Sequence, residues 1–218
     1  MKKIFIIVEG QTEQEFVRRT LSNYLLRYGI FDVRPILIHT SKYGRGGFLR
    51  YRHLRKDIYL VLQSNKGDGY IVTTMVDYFR SPAFPQEDRW RRVKDSSERL
   101  DVLEKIMKED VDDPRFIPYI QMHEFEALLF SSMVGFERRL GKRAAKELSK
   151  VMEQFETPED INTSPEGAPS KRIIRASRGY NKIIVGNRIA EDVGMETMLL
   201  KCPHFREWVN TLISKASE

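Results

Sequence analysis

The stretch that decides the fold is Ile4-Phe5-Ile6-Ile7-Val8, which runs directly into Glu9-Gly10-Gln11-Thr12-Glu13. An unbroken series of β-branched and aromatic residues is typical of a strand that is buried on both faces of a parallel sheet. The polar residues that follow end this strand at an acid and a glycine.

A helix is predicted to follow the strand at once. Apolar residues recur at helical spacing from Val17 to Tyr28, and Gly29 is placed to end the helix. Thr12 and Glu15 have the spacing of a capping box at its start. The chain therefore begins with a strand, a turn and a helix, which is the repeating unit of α/β proteins.

Further strands alternate with helices up to about residue 132. Strands are predicted at Val33–His39, Tyr70–Val76 and Phe116–Gln121, with helices at Tyr51–Gln63, at Ser97–Glu109 and from His123. Right-handed crossovers then give parallel strands with helices on both faces. We therefore expect an α/β fold in which a parallel sheet of about four strands is flanked by helices.

The remainder of the chain has a different pattern. From about Gly135 it predicts helices at 136–155, 171–178, 182–193 and 203–215, and no strand. Thr157–Ser170, with three prolines, is typical of a linker. We expect an α/β domain over residues 1–132 and a helical C-terminal extension, residues 133–218, packed on it.

Composition limits the classes of function. The 218 residues are 41% apolar and 31% charged, and they include one cysteine, which excludes a disulfide framework and a multi-cysteine zinc site. We expect a soluble, cytoplasmic protein without a membrane span. The net charge of +6 is consistent with an anionic partner, although a solvated basic surface is the simpler explanation of the composition alone.

Acidic residues follow several predicted strands. Glu9 follows the first strand, Asp77 follows the third, and Glu124 and Glu126 lie just beyond the fourth. The carboxyl ends of parallel strands meet at one edge, where ligands bind. Carboxylates gathered there repel one another unless a cation neutralises them, and oxygen ligands suit Mg²⁺ or Mn²⁺.

Each of these acids also has a structural interpretation. Glu13, like Glu15, lies in a first helical turn, where the macrodipole stabilises acids; we keep Glu13 as a candidate and assign Glu15 to capping. Residues two apart on a helix face different directions, so we expect one of Glu124 and Glu126 to face the site, with a preference for Glu124.

Two basic segments are candidates for nucleic-acid binding. Residues 40–56 contain no acid and place cations among aromatic residues, a pattern that suits phosphates and bases; the candidates are Lys42, Arg45, Arg50 and Arg52. The second segment contributes Lys171, Arg172 and Lys182. A solvated surface remains the alternative for both.

Signature motifs of other α/β enzymes are missing. Gly10-Gln11-Thr12 lacks the Gly-Lys-Ser/Thr ending of a P-loop, and Gly44-Arg45-Gly46-Gly47 has the wrong spacing for a dinucleotide fingerprint. A nucleotide-binding enzyme of another α/β type is therefore disfavoured.

The strand ends resemble a known fold family. Ile7-Val8-Glu9-Gly10-Gln11-Thr12-Glu13 and Met75-Val76-Asp77 resemble the two signature strand ends of the Toprim fold, over about residues 1–130, and the Glu-Gly-x-x-Glu spacing is nearest to OLD-type nucleases. Further stretches resemble an uncharacterised bacterial family of Toprim-like proteins, DUF4276; these are Gln121 to Leu128, Ala168 to Ile173 and Lys201 to Phe205 with Trp208.

The resemblance implies roles for individual residues. Glu9 corresponds to the general acid or base, and Asp77 and Glu13 to ligands of Mg²⁺. The sequence departs from the usual Asp-x-Asp, since Phe79 stands in place of the second acid. Either Glu124 or Glu126 replaces that ligand, or the site has lost catalysis.

Two functions are consistent with these patterns. The first is a divalent-metal-dependent nuclease that acts on phosphodiester bonds, in bacterial defence with the partner ATPase that the resemblance implies. The second is a catalytically inactive Toprim-like module that binds nucleic acid or a partner protein.

Overall fold

The core of the structure, a computed structural model that describes residues 1–38, 51–78, 84–161 and 167–218, is a parallel sheet. Strands β1 (Lys3–Val8), β2 (Val33–Leu37) and β3 (Tyr70–Asp77) lie in the order β2-β1-β3. All of their pairings are parallel, as are those of β4 (Phe116–Ile117) and β5 (Ile120–Gln121) with β3. The predicted α/β fold with a parallel sheet is confirmed.

The predicted fourth strand, Phe116–Gln121, is divided into β4 and β5. Pro118 interrupts it because proline has no backbone N–H to donate to the sheet. The Thr74 side chain bridges the gap: its hydroxyl accepts from Tyr119 N at 3.0 Å and donates to Tyr119 O at 2.7 Å. The sheet therefore remains bonded across a break that the apolar pattern did not reveal.

The helices account for most of the remaining chain. They are α1 (Gln11–Phe16), α2 (Ser22–Leu26), α3 (Tyr51–Ser64), α4 (Glu87–Trp90), α5 (Ser96–Val111), α6 (Met133–Leu140), α7 (Lys142–Met152), α8 (Pro169–Ala176), α9 (Asn187–Val193), α10 (Met195–Lys201) and α11 (Pro203–Ser217). Segments Val17–Leu21 and Lys182–Gly186 are π-helical, and Phe125–Ser131 and Pro158–Asp160 are 3-10 helices. Among the described helices, none has both the length and the apolar character that a membrane crossing requires.

Several predicted boundaries were wrong. The helix predicted at 136–155 is two helices, because Gly141 adopts a φ of +87° between them, a conformation that side-chain-bearing residues avoid. Helix α10 was not predicted. The helix expected from His123 is a 3-10 helix beginning at Phe125, and α8 begins at Pro169, inside the predicted linker. Residue 39, the last of the predicted second strand, lies outside the described residues.

Each face of the sheet is covered by helices. On one face, Phe5 and Ile7 pack in a cluster with residues of α3 and α5, such as Leu54 and Leu103. On the other, Ile4 and Ile6 share a cluster with α1, α2 and the C-terminal helices, through residues such as Val209. The α/β part and the helical part thus share a core, and the proposed division at residue 132 stays a prediction.

Candidate metal and nucleic-acid site

The turn after β1 positions the first two acids. Gly10 is the N-cap of α1, and its N–H donates to Glu13 Oε2 at 2.9 Å. Glu13 is thereby folded back over the turn and is 7% exposed. The predicted capping box of Thr12 and Glu15 is wrong, because the helix begins before Thr12. Half-buried Glu15 instead pairs with Arg18 and Arg19.

The end of β3 is bonded to the end of β1. Asp77 N donates to Glu9 Oε2 at 3.2 Å, so these two acids, 68 positions apart in the chain, are neighbours. Asp77 Oδ1 in turn accepts from Phe125 N at 3.1 Å, which ties the start of the 3-10 helix to the same strand end. The topology therefore brings three segments together at the carboxyl edge of the sheet, as the sequence predicted.

Glu124 and Glu126 both face this edge, which corrects the expectation that one of them would face away. Glu124 precedes the 3-10 helix in an extended conformation, so helical spacing does not govern the pair. His123, with a φ of +63°, turns the chain just before it. The two carboxylates are buried, at 7% and 2% exposure, and their charges both contribute to raising the pKa of Asp77.

The C-terminal part of the chain holds these two acids in place. Ser170 N donates to Glu124 Oε2 at 2.9 Å. Lys182 Nζ forms an ion pair with Glu126 Oε1 at 3.1 Å, and the Tyr180 hydroxyl donates to the same oxygen at 3.4 Å. Tyr180 has room to do so because residue 186 is glycine: a Cβ there would lie 2.7 Å from the hydroxyl oxygen.

The acids at this edge of the sheet interact with one another through their charges. Desolvation raises the pKa of Glu13 to about 7, and the charges of Glu9 and Glu126 act in the same direction. Desolvation also raises the pKa of Asp77, with all four other carboxylates contributing. The pKa of Glu126 is raised by burial, although Lys182 opposes the shift. We call these residues, Glu9, Glu13, Asp77, Glu124 and Glu126, the acidic cluster.

The donor chemistry of the acidic cluster fits a hard divalent cation. Carboxylate oxygens are the ligands that Mg²⁺ and Mn²⁺ prefer, and a cation would relieve the repulsion that adds to the effect of burial on these pKa values. The side chains do not form a ready ligand shell: within residues 1–38, 51–78, 84–161 and 167–218, no group of three or more acidic, His or Cys residues is arranged to hold a metal ion. Coordination would require some of them to release their present hydrogen-bond donors.

The predicted basic residues differ in their position relative to the acidic cluster. Lys182 contacts the cluster, and Lys171 is exposed and directly follows Ser170 in the sequence. Arg172 donates to Gly167 O at 2.7 Å and lies over the Phe155 ring. Arg52 is exposed on α3 and has no described contact with the acids, whereas the remaining candidates lie outside the described residues; these are Lys42, Arg45 and Arg50.

Sequence reasoning missed three residues at the site. Ser170 contributes through its backbone, Tyr180 through its hydroxyl, and Asn187 by donating from Nδ2 to Thr12 O at 3.1 Å. Ser170 lay within a stretch chosen for its cations, but no local pattern pointed to Tyr180 or Asn187. Their roles depend on how the helical part packs against α1.

A large cleft lies apart from the acidic cluster. Its volume is about 930 Å³, and residues of α5, α11 and the 156–160 segment line it, including Asp101, Glu159, His204 and Glu207. None of the five acids of the cluster lines this cleft. The candidate site is therefore assigned from its chemistry, and the cleft is not part of it.

Comparisons with known proteins give a family and several similar solved structures. A search of curated proteins finds no match. The C-terminal region of the Burkholderia pseudomallei OLD protein is similar at 15% identity and a TM-score of 0.47, covering 98% of this chain and 99% of that one. The C-terminal region of the Xanthomonas campestris pv. campestris OLD protein is similar at 13% identity and a TM-score of 0.37, covering 97% and 98%. The model of a family described as Domain of unknown function (DUF4276) matches residues 8–213, which confirms the family resemblance in the sequence: the chain belongs to this family.

Proposed function

We propose that this protein is a divalent-metal-dependent nuclease that acts on phosphodiester bonds of nucleic acid. The observation that carries the proposal is the acidic cluster, in which carboxylates from three strand ends lie close enough for their charges to contribute to the raised pKa values of Asp77 and Glu13. Lys182 forms an ion pair with one of these carboxylates, Glu126. Such an arrangement costs stability unless a ligand uses it.

The residues have separate roles in this proposal. Asp77, Glu13 and one or both of Glu124 and Glu126 hold Mg²⁺ or Mn²⁺, while Glu9 ligates the ion or transfers a proton. When bound, the ion supplies a Lewis acid and an activated water for attack on phosphorus. Glu9 is suited to a proton-transfer role because its carboxylate is fixed by the Asp77 N–H at 3.2 Å.

Basic residues neutralise the nucleic-acid backbone in this proposal. Lys182 forms an ion pair with Glu126, and Lys171 and Arg172 lie at the start of α8. The other residues to which we give this role are Lys42, Arg45, Arg50 and Arg52.

Plasmid nicking tests the proposal directly. Supercoiled plasmid incubated with the purified chain and Mn²⁺ or Mg²⁺ should be nicked, and Glu9→Gln should reduce the rate at least a hundredfold, about 2.7 kcal/mol in activation free energy. Glu15→Gln is the matched control, since it removes a half-buried acid of α1 that pairs with arginines and lies outside the acidic cluster. Equal rates for the wild type and Glu9→Gln would refute the assignment of the site.

A catalytically inactive module is the second candidate, and two observations favour it. Lys182 already neutralises Glu126, and Phe79 occupies the position of a second acid in the Asp-x-Asp pattern. An inactive module would show no stabilisation by Mn²⁺ that depends on Asp77, whereas the nuclease would.

The cellular setting is a further part of the proposal. We place the protein in the bacterial cytoplasm, in a defence role with a partner ATPase, as the sequence resemblance implies. An ATPase encoded beside its gene should then copurify with the wild-type chain.

A further inference from the structure

A strongly basic segment adjoins the acidic cluster. Residues 167–190 contain six basic residues and no acidic one; the basic residues are Lys171, Arg172, Arg175, Arg178, Lys182 and Arg188. Arg175, Arg178 and Arg188 were not among the candidates for nucleic-acid binding that the sequence predicted. The segment comprises α8, the π-helical turn and the start of α9.

Within the part of the chain that the structure describes, most of these charges have no acidic partner. Lys171, Arg175, Arg178 and Arg188 are exposed, and none of the ion pairs formed among the described residues involves them. Arginines elsewhere behave differently: Arg139, for example, binds Asp192 at 2.5 Å. Exposed cations without carboxylate partners create a positive potential that attracts an anionic ligand.

The segment is fixed to the acidic cluster at several points. Ser170 N binds Glu124, Lys182 pairs with Glu126, and Asn187 binds the carbonyl of Thr12, next to Glu13. Lys171 follows the first of these anchors in the sequence and Arg188 follows the last. The exposed cations therefore belong to a segment that is bonded to the acidic cluster near both of its ends.

The exposed uncharged side chains of the segment indicate which anion fits. They include Ile174, Ile183 and Ile184, which are aliphatic, while the one aromatic residue, Tyr180, is buried and bonded to Glu126. Binding of single strands relies on exposed rings that stack on bases, whereas phosphates of a duplex need cations alone.

We infer that Lys171, Arg175, Arg178 and Arg188 form a surface that binds the sugar-phosphate backbone of a double helix, independently of its sequence, and presents it to the acidic cluster. The inference rests on the proposed function and adds to it the form of the substrate. It also assigns Arg175, Arg178 and Arg188, residues outside the acidic cluster, to substrate binding.

Binding without divalent metal tests this surface separately from cleavage. In EDTA, fluorescence anisotropy with a 20-base-pair duplex DNA, the same duplex as RNA and a 20-nucleotide single strand should give the tightest binding to a duplex. Replacing three arginines with alanine should weaken duplex binding at least tenfold and reduce the slope of log K against log salt by about two to three. The variant combines Arg175→Ala, Arg178→Ala and Arg188→Ala.

Two further variants serve as controls. One keeps the positive charge at the three positions, and the other removes the same amount of charge from a different helix. The triple replacement of Arg175, Arg178 and Arg188 by lysine should keep most of the duplex affinity, since phosphate contacts need charge rather than a particular base-reading geometry. Removal of three exposed cations from α7 should change affinity less than twofold; this control combines Lys142→Ala, Arg143→Ala and Lys146→Ala.

The outcomes separate this inference from the proposed function. The inference is overturned if the triple alanine variant of α7 loses as much binding as the triple arginine-to-alanine variant. It is also overturned if the single strand binds more tightly than either duplex. If the wild type nicks plasmid and the arginine-to-alanine triple binds and nicks equally well, the inference fails and the nuclease stands. Duplex binding that depends on these arginines, without nicking under any metal, leaves the surface supported and refutes the nuclease.

Discussion

Carboxylates meet opposite environments in two regions of this molecule. Asp113, beyond the end of α5, binds Arg115 at 2.6 Å, and its hydrogen bonds to that arginine hold its pKa below the usual range. Asp77, at the carboxyl edge of the sheet, is desolvated among other acids, and its pKa is raised. The same residue type is thus stabilised as an anion in one place and destabilised in the other.

This difference shows which carboxylates stabilise the fold and which destabilise it. An acid paired with an arginine contributes to folding, whereas acids that repel one another reduce the free energy of unfolding. Natural proteins retain such conflicts chiefly at functional sites. The acidic cluster is therefore interpreted as a ligand site, and the predictions below test whether its carboxylates differ from the paired ones.

A third kind of environment, a buried acid with a titratable partner, gives the largest expected effect. His204 Nε2 lies 3.1 Å from Glu104 Oε1. Burial lowers the pKa of His204, but the hydrogen bond and charge of Glu104, with the charges of Glu159 and Asp101, outweigh this and raise it to about 9.

The pH dependence of unfolding follows from this shift. The folded pKa lies above the unfolded value of about 6.5, so the stabilisation is complete below pH 6.5 and is lost as the pH rises through 9, by about 3 kcal/mol. Urea unfolding of the wild type and His204→Gln at pH 6 and pH 9.5 measures it. A variant that keeps the full wild-type decline would show that this pair is not its source.

Metal should stabilise the acidic cluster and leave the paired acids unaffected. At a hundred times its Kd, Mn²⁺ should add about 2.7 kcal/mol to the free energy of unfolding, a rise in Tm of about 5–10 °C. Differential scanning fluorimetry should show this rise for the wild type and for Asp113→Asn, but not for Asp77→Asn. A similar rise in all three proteins would remove Asp77 from the metal site.

The same two substitutions should have opposite effects without metal. At pH 8, Asp77→Asn should raise the free energy of unfolding by about 1–2 kcal/mol, because it removes a repelled charge while its oxygen still accepts from Phe125 N. Asp113→Asn should lower it by about 1 kcal/mol, because the charge-assisted bonds to Arg115 weaken. Urea unfolding in EDTA measures both, and effects of the same sign would contradict the comparison.

The fold could be predicted as far as local patterns determine it. The apolar run Ile4–Val8 and the helical spacing after it identify a buried strand and its helix without any tertiary information. Helix α10, of seven residues, lies between Gly194 and Cys202 and is too short to show a clear period. The break at Pro118 depends on Thr74 from a neighbouring strand, which only the folded sheet brings within reach.

The candidate site could be predicted only where strand order determines which residues lie together. Glu9 and Asp77 end adjacent parallel strands, so their proximity follows from topology. Whether Glu124 and Glu126 both face the site depends on the backbone at His123, which tertiary packing sets. Tyr180 reaches the site through the packing of the helical part, and no short-range pattern encodes that contact.

The turn at His123 provides a further test of the acidic cluster, with an expected effect of similar size. A residue with a φ of +63° is strained when it is β-branched, while asparagine adopts this conformation readily. His123→Val should therefore lower the free energy of unfolding by about 1–2 kcal/mol more than His123→Asn, as measured in urea. Both variants remove the imidazole and its contacts, so their difference isolates the backbone. If the turn positions Glu124 for metal, His123→Val should also bind Mn²⁺ severalfold more weakly than His123→Asn in calorimetry, and equal affinities would show that the turn serves folding alone.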